Sequence, residues 1–243
     1  MSKWLMCVLA VLVAVPSVAL DSKRVARAQS QIGKGQKQLE KGDYDKAEKY
    51  FQSAIEIQPE VPSAYVNMGA VRIGQERFAD ALEMLKEGER RYIEWQQLEQ
   101  EMKLAAQQSA TTQAQDMAFN DNSGKGLITG GIQAQAERSN RTSQKQMADN
   151  EWGTDDTNPV PAQLYYLRGV ATIRLGQRDA GIEALQKCLE LDPDHGLAHY
   201  NLAVALFGKG DIAGAKQNLD AAKDAGVKPN PKFVEAVESA AKQ

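Results

Sequence analysis

Across residues 42–60, "GDYDKAEKYFQSAIEIQPE", small and apolar side chains fall at Ala47, Phe51 and Ala54, three or four positions apart, with charged residues between them. That spacing lays one apolar stripe along a helix. A glycine turn precedes it and Pro59 closes it, since proline has no amide hydrogen to continue the backbone ladder. The same landmarks return 34 residues later: Gly35 is followed by Gly69, Ala47 by Ala81, Phe51 by Leu85 and Ala54 by Gly88. Further on, Gly169 and Ala203, Gly181 and Ala215, Leu185 and Leu219, and Cys188 and Ala222 obey the same period.

Within each copy a small residue is followed by another twelve positions later, as in Gly35 to Ala47 and Gly169 to Gly181. Two antiparallel helices approach closely only where their side chains are small, so this step predicts paired helices crossing at Gly or Ala. Leu, Phe and Tyr at helical spacing then fill the rest of the interface. "KGDYD", "LGQRD" and "KGDI" read as the tight turns, with Gly42, Gly176 and Gly210 available for positive φ.

The stretches "AYVNMGAVRIGQERFADALEML", "AQLYYLRGVATIRLGQRDAGIEALQKCLELDP" and "AHYNLAVALFGKGDIAGAKQNLDAAKDAG" resemble the tetratricopeptide repeat (TPR) family in period and pattern. Four copies are visible, near 28–61, 62–95, 162–195 and 196–228, over somewhat more than half of the chain. The resemblance implies an all-α solenoid of antiparallel helix pairs. In the first copy Gln31, Lys34 and Gln38 stand where the family prefers large apolar residues, as expected of a terminal repeat with one face in water. The second copy lacks the closing proline, and its helix is expected to run on to about residue 108. After the fourth copy, Asn230 and Pro231 offer a cap and a first helical residue for an amphipathic C-terminal capping helix over 229–243.

Residues 96–160 break the period and turn to Gln, Ser, Thr, Asn and Ala, a low-complexity insertion with too little apolar surface to order all of itself. A short helix over residues 131–148 is expected within it, and the repeats of 20–95 and 161–228 are expected to pack together with the insertion looping out. "GKG" at 124–126 lacks the upstream glycine and the following Ser or Thr of a phosphate loop. "NRT" at 140–142 is a glycosylation sequon, meaningful only in a host that glycosylates exported proteins.

Composition narrows the function. With 42% hydrophobic and 25% charged residues, the 243-residue chain can bury a core. A net charge of -3 gives no global attraction to phosphate backbones or anionic membranes, so nucleic acid is not an expected partner. The N-terminus "MSKWLMCVLAVLVAVPSVAL" orders a basic start, an apolar run and small residues as a secretory signal does, with cleavage expected after Ala19. An uncleaved signal anchor and a buried helix are the alternatives. Export to the periplasm is the expected location, and loss of Cys7 with the signal would leave Cys188 unable to form an internal disulfide.

Chemistry is sparse. His195 and His199 stand four apart and could share a metal with Asp192 or Asp194, but no third ligand has recognisable spacing, and no metal or other cofactor is expected. Cys188 occupies the small-residue slot, favouring burial over reactivity. Carboxylate pairs such as Glu40 with Asp43 and Asp155 with Asp156 are ordinary for turns and solvated loops. No catalytic set is present, so neither an enzyme nor a small-molecule substrate is expected.

The resemblance implies that the first helix of each pair lines a concave groove. Its contact positions fall on Gln29, Ile32, Gln36 and Leu39 in the first copy and on Val66, Ala70 and Ile73 in the second. In the third they fall on Tyr166, Val170, Ile173 and Arg174, and in the fourth on Leu197, Tyr200, Val204 and Phe207. The family's basic clamp for C-terminal carboxylates is not matched. Three readings of this apolar stripe stand: a groove for a protein or peptide partner, ordinary core between helices, or a surface covered by the insertion or the C-terminal helix. The expected function is a non-catalytic adaptor that supports assembly of an envelope complex. The alternative is a self-assembling homo-oligomer, paired through the long helix at Tyr92, Trp95, Leu98 and Met102 or through open repeat edges.

Overall fold

The computed structural model describes residues 22–120 and 160–242; the N-terminal apolar run, the 124–126 and 140–142 motifs and the expected helix over 131–148 lie outside them. The described residues form nine helices and no strand: α1 (Ser22–Glu40), α2 (Tyr44–Ile57), α3 (Pro62–Gly74), α4 (Phe78–Asn120), α5 (Ala162–Arg174), α6 (Arg178–Leu191), α7 (Gly196–Phe207), α8 (Ile212–Asp224) and α9 (Pro231–Ala240). The fold is therefore the all-α helical solenoid expected. Its pairs are α1 with α2, α3 with α4, α5 with α6 and α7 with α8. Each pair stacks on the next, and α1, α3, α5 and α7 also touch in succession as one layer of first helices.

The small residues sit where the pairs cross. A methyl group added at Gly35 would lie 2.5 Å from the Phe51 ring, one at Gly69 2.8 Å from Leu85, and one at Gly169 2.7 Å from Leu185. Phe51, Leu85, Leu185 and their counterpart Leu219 are among the fully buried large side chains. So each pair is closed by one large residue seated against the position that carries no bulk. Cys188 is fully buried in the slot filled elsewhere by Ala54, Gly88 and Ala222, and burial pushes its thiol up to about 12, with the Asp192 charge adding to the effect.

Helix ends follow local chemistry. Asp43, His195, Asp211 and Asn230 each accept a backbone N–H through the side chain, at the starts of α2, α7, α8 and α9. Pro62 and Pro231 open α3 and α9 at positions whose amides would be unpartnered in any case. The first helices end on a repeated motif: Gly42, Gly176 and Gly210 take positive φ, and the next residue donates back across the turn, as Asp43 does to Gln38 and Gln177 to Thr172. In the second copy the same geometry is held by Glu76, at φ 59°, with Arg77 donating to Arg72.

The halves on either side of residues 121–159 share a core. Val66, Leu85 and Tyr92 from α3 and α4 cluster with Val160, Leu164 and Leu167. Arg168 of α5 reaches Glu89 of α4 at 2.5 Å, and its guanidinium lies 5.3 Å from the centre of the Tyr165 ring. Stacking therefore passes directly from the second pair to the third. Tyr92 is the last α4 residue buried among the described side chains, yet α4 continues past the expected stop near 108 to Asn120. At 1.5 Å per residue the extension beyond Tyr92 is about 40 Å long. No helix among the described residues is long and apolar enough to cross a membrane.

Glu76→Gly is expected to stabilise the protein by about 0.5–1 kcal/mol, since a side chain at positive φ is strained and glycine is not; an unchanged or lower urea midpoint would contradict this. Cys188 is expected to resist iodoacetamide in the native protein and to react once unfolded in guanidinium, followed on its own peptide by mass spectrometry. Rapid native alkylation would mean that the slot opens.

Candidate peptide-binding groove

The layer of first helices carries every position expected to contact a partner, and it divides them into three environments. Ile32 is buried in the core of the first pair, and Val66 in the core shared by the second and third. Leu39, Ala70 and Ile73 pack against those cores and are half-buried. These residues join helices to one another. Gln29 is half-buried and Gln36 exposed, so the α1 end of the layer shows polar side chains.

On α5, Tyr166 bridges the second and third cores and its ring centre lies 4.8 Å from that of His195. Burial raises the Tyr166 hydroxyl above the ordinary tyrosine value. Ile173 is packed into the α5–α6 crossing, where Gly181 leaves room for it. Val170 is half-buried and Arg174 exposed.

The fourth copy splits in two. Tyr200 and Phe207 both meet Phe233 of α9 edge-on, with ring centres 5.9 and 5.6 Å apart. The C-terminal helix covers that part of the layer, and Val237 anchors it in a core with Ala203 and Leu219. Leu197 and Val204 stay open, at 49% and 41% exposure. Seven residues apart, they lie on one face of α7, and half-buried Asn201 between them donates to the Leu197 carbonyl. The open apolar surface of the fourth copy is thus Leu197 and Val204, on the helix beside α5.

The histidines are structural. His195 Nδ1 accepts from the Ala198 amide at 3.1 Å, which leaves its Nε2 to donate to Gln163 Oε1 at 3.3 Å. His199 sets Nδ1 2.8 Å from Asn218 Oδ1 and Nε2 2.9 Å from the Pro193 carbonyl, tying α7 to α8 and to the preceding turn. With all four ring nitrogens engaged, a metal would have to displace existing bonds. Among the described residues no group of three His, Cys, Asp or Glu side chains could hold one. Asp43 is the cap of α2, and its hydrogen bond from Lys46 holds it below the usual carboxylate range. Glu48 is lowered in the same way by Arg72, which joins α2 to α3.

Sequence reasoning did not find the Glu89–Arg168 junction, and it offered the C-terminal helix as one possible cover of the stripe without naming Phe233, since both depend on pairings between distant segments. A signal existed for the second, in Phe233 on the apolar face of a well-capped helix. The Leu197–Val204 opening had none, because the same spacing describes buried and exposed faces alike.

Comparison with known proteins agrees with this architecture. A family model described as Tetratricopeptide repeat matches residues 38–100 and 173–233, together half of the chain. No curated protein sequence matches it. Among solved structures, a MamA from MSR-1 is 13% identical, with 84% of this chain and 93% of that one covered and a TM-score of 0.44. A thermophilic TPR protein of Thermus thermophilus is 19% identical, covering 89% of this chain and 100% of that one at a TM-score of 0.42. PilF of Pseudomonas aeruginosa is 15% identical, covering 87% and 81% at 0.38. With its 34-residue period, its four crossed helix pairs and a family match over half of its length, the chain belongs to the tetratricopeptide repeat family.

Proposed function

We propose that this protein is an exported, periplasmic adaptor that seats a peptide or helix of a partner protein against the open part of its first-helix layer and supports assembly of an envelope complex. Tetratricopeptide repeats are in general protein-binding scaffolds without catalytic chemistry of their own, and the groove, the location and the assembly are the specific steps added here. The observation that carries the reading is the pair Leu197 and Val204, large aliphatic side chains exposed on a helix whose other faces are packed. A short apolar face with Asn201 between its two aliphatic side chains suits one or two aliphatic anchors of a partner with a polar contact beside them. The apolar N-terminal run supports export.

A second reading, self-assembly, draws on a different observation. The α4 extension leaves Ile93 and Leu104 at 44% and 56% exposure, beyond the point where the solenoid covers the helix. Pairing of two such extensions would bury them, and sedimentation across a concentration series separates the readings: a monomer at high concentration rules self-assembly out.

Leu197→Ser with Val204→Ser tests the groove more cleanly than changes at Tyr200 and Phe207, which would also release α9. The double variant is expected to keep its helicity and to lose at least tenfold in crosslinked recovery of the partner from the native envelope fraction. Undiminished recovery would sink the groove proposal.

A further inference from the structure

We propose that the outer face of α1 is a docking surface for an anionic lipid bilayer. The proposal stands apart from the groove and concerns a face that the net charge of the whole chain conceals. Lys23, Arg27, Lys34 and Lys37 are all exposed. At 100° per residue they fall within an arc of about 80°, and Lys41, in the turn that follows, continues the same line. Diametrically opposite lie Ala28, Ile32 and Leu39, which pack against α2 and α3. The cations therefore point straight away from the body of the protein, in a line about 20 Å long from Lys23 to Lys37.

The contrast with the other helices is informative. On several other helices a cation has a carboxylate on its own helix or its cap: Lys46 with Asp43, Arg90 with Glu87, Lys103 with Glu99 and Lys216 with Asp220. On α1 Arg27, Lys34 and Lys37 have no such partner among the described residues. The one carboxylate of α1, Glu40, stands about 60° from Lys37 at the border of the stripe, and no ion pair joins the two among the described residues. Asp43 feels Lys41 but is bonded to Lys46. Like charges at a spacing of three or four, such as Lys34 with Lys37, destabilise an isolated helix. An anionic surface would relieve that repulsion.

A planar bilayer fits better than the other polyanions. α1 carries five cations and one carboxylate, so with a net charge of -3 for the whole chain the remainder is -7. A nucleic acid long enough to extend beyond α1 would meet that negative remainder. The stripe also has no aromatic residue on which a base could stack. A flat array of headgroups meets one straight edge and no more.

The test is co-sedimentation of the full chain with vesicles of phosphatidylcholine alone and of phosphatidylcholine mixed with phosphatidylglycerol. Binding to the neutral vesicles measures the apolar N-terminal stretch, and the excess on the anionic ones measures the stripe. The excess is expected to fall steeply with salt. Each cation near an anionic leaflet contributes roughly fivefold, so Arg27→Gln, Lys34→Gln and Lys37→Gln together should reduce the excess about a hundredfold. Changing Lys49, Lys86 and Lys228 to Gln removes as much charge from other faces and should leave it intact, with circular dichroism verifying both folds. Equal binding to the two vesicles, an unreduced excess in the α1 variant, or an equal reduction in the control would overturn the proposal. So would displacement from the anionic vesicles by a single-stranded RNA homopolymer at equal phosphate concentration, which would assign the stripe to nucleic acid.

Discussion

The close crossing of two helices at a residue with almost no side chain is the constraint on which the rest of this structure depends. Gly35, Gly69 and Gly169 have no room for a β-carbon beside Phe51, Leu85 and Leu185, and in the fourth pair Ala203 and Leu219 share the same core. That arrangement fixes the separation and register of each pair, because sliding either helix would drive a bulky residue into the crossing. Once each pair is set, its outer faces are apolar on the sides that meet the neighbouring pairs, and stacking follows. Charge and hydrogen bonding then trim the joints, as Arg72 and Glu48 do between α2 and α3 and Arg168 and Glu89 do between α4 and α5.

A stacked structure must end, and this one ends differently on its two sides. At the C-terminus α9 lays Phe233 across Tyr200 and Phe207 and closes the apolar layer with the chain's own helix. At the N-terminus no helix among the described residues covers the outer face of α1, and that face is cationic. Between them, α4 leaves the stack after Tyr92 and runs on as a helix to Asn120. The second-pair core is nevertheless completed by Val160, Leu164 and Leu167 from beyond residue 159, so the solenoid resumes where it was interrupted. A long insertion is compatible with such stacking because the entropic cost of closing a loop grows only slowly with its length.

The sequence by itself determined the period, the pairing of helices, the glycine turns and the C-terminal cap, because each rests on residues close together in the chain. Gly42, Gly176 and Gly210 announce the turns through their conformational freedom, and Asn230 with Pro231 announces α9 through the unpaired amides of a helix start. The placement of Cys188 in a small-residue slot was equally legible, since its repeat partners are Ala and Gly. The 34-residue register even marks Glu76 as standing where glycine serves in the other copies.

What only the tertiary structure decided was which members of one helical pattern face solvent. Ile32, Val66, Tyr200 and Leu197 occupy the same kind of repeat position, yet two are core, one lies under Phe233 and one is open. Periodicity assigns a residue to a face of its helix, but exposure depends on what another segment places against that face. The basic edge of α1 is hidden in the chain's overall charge for a related reason. Net charge sums over the whole chain, whereas an electrostatic field acts locally, and the fold alone turned α1 so that its apolar side met α2 and its cations met water.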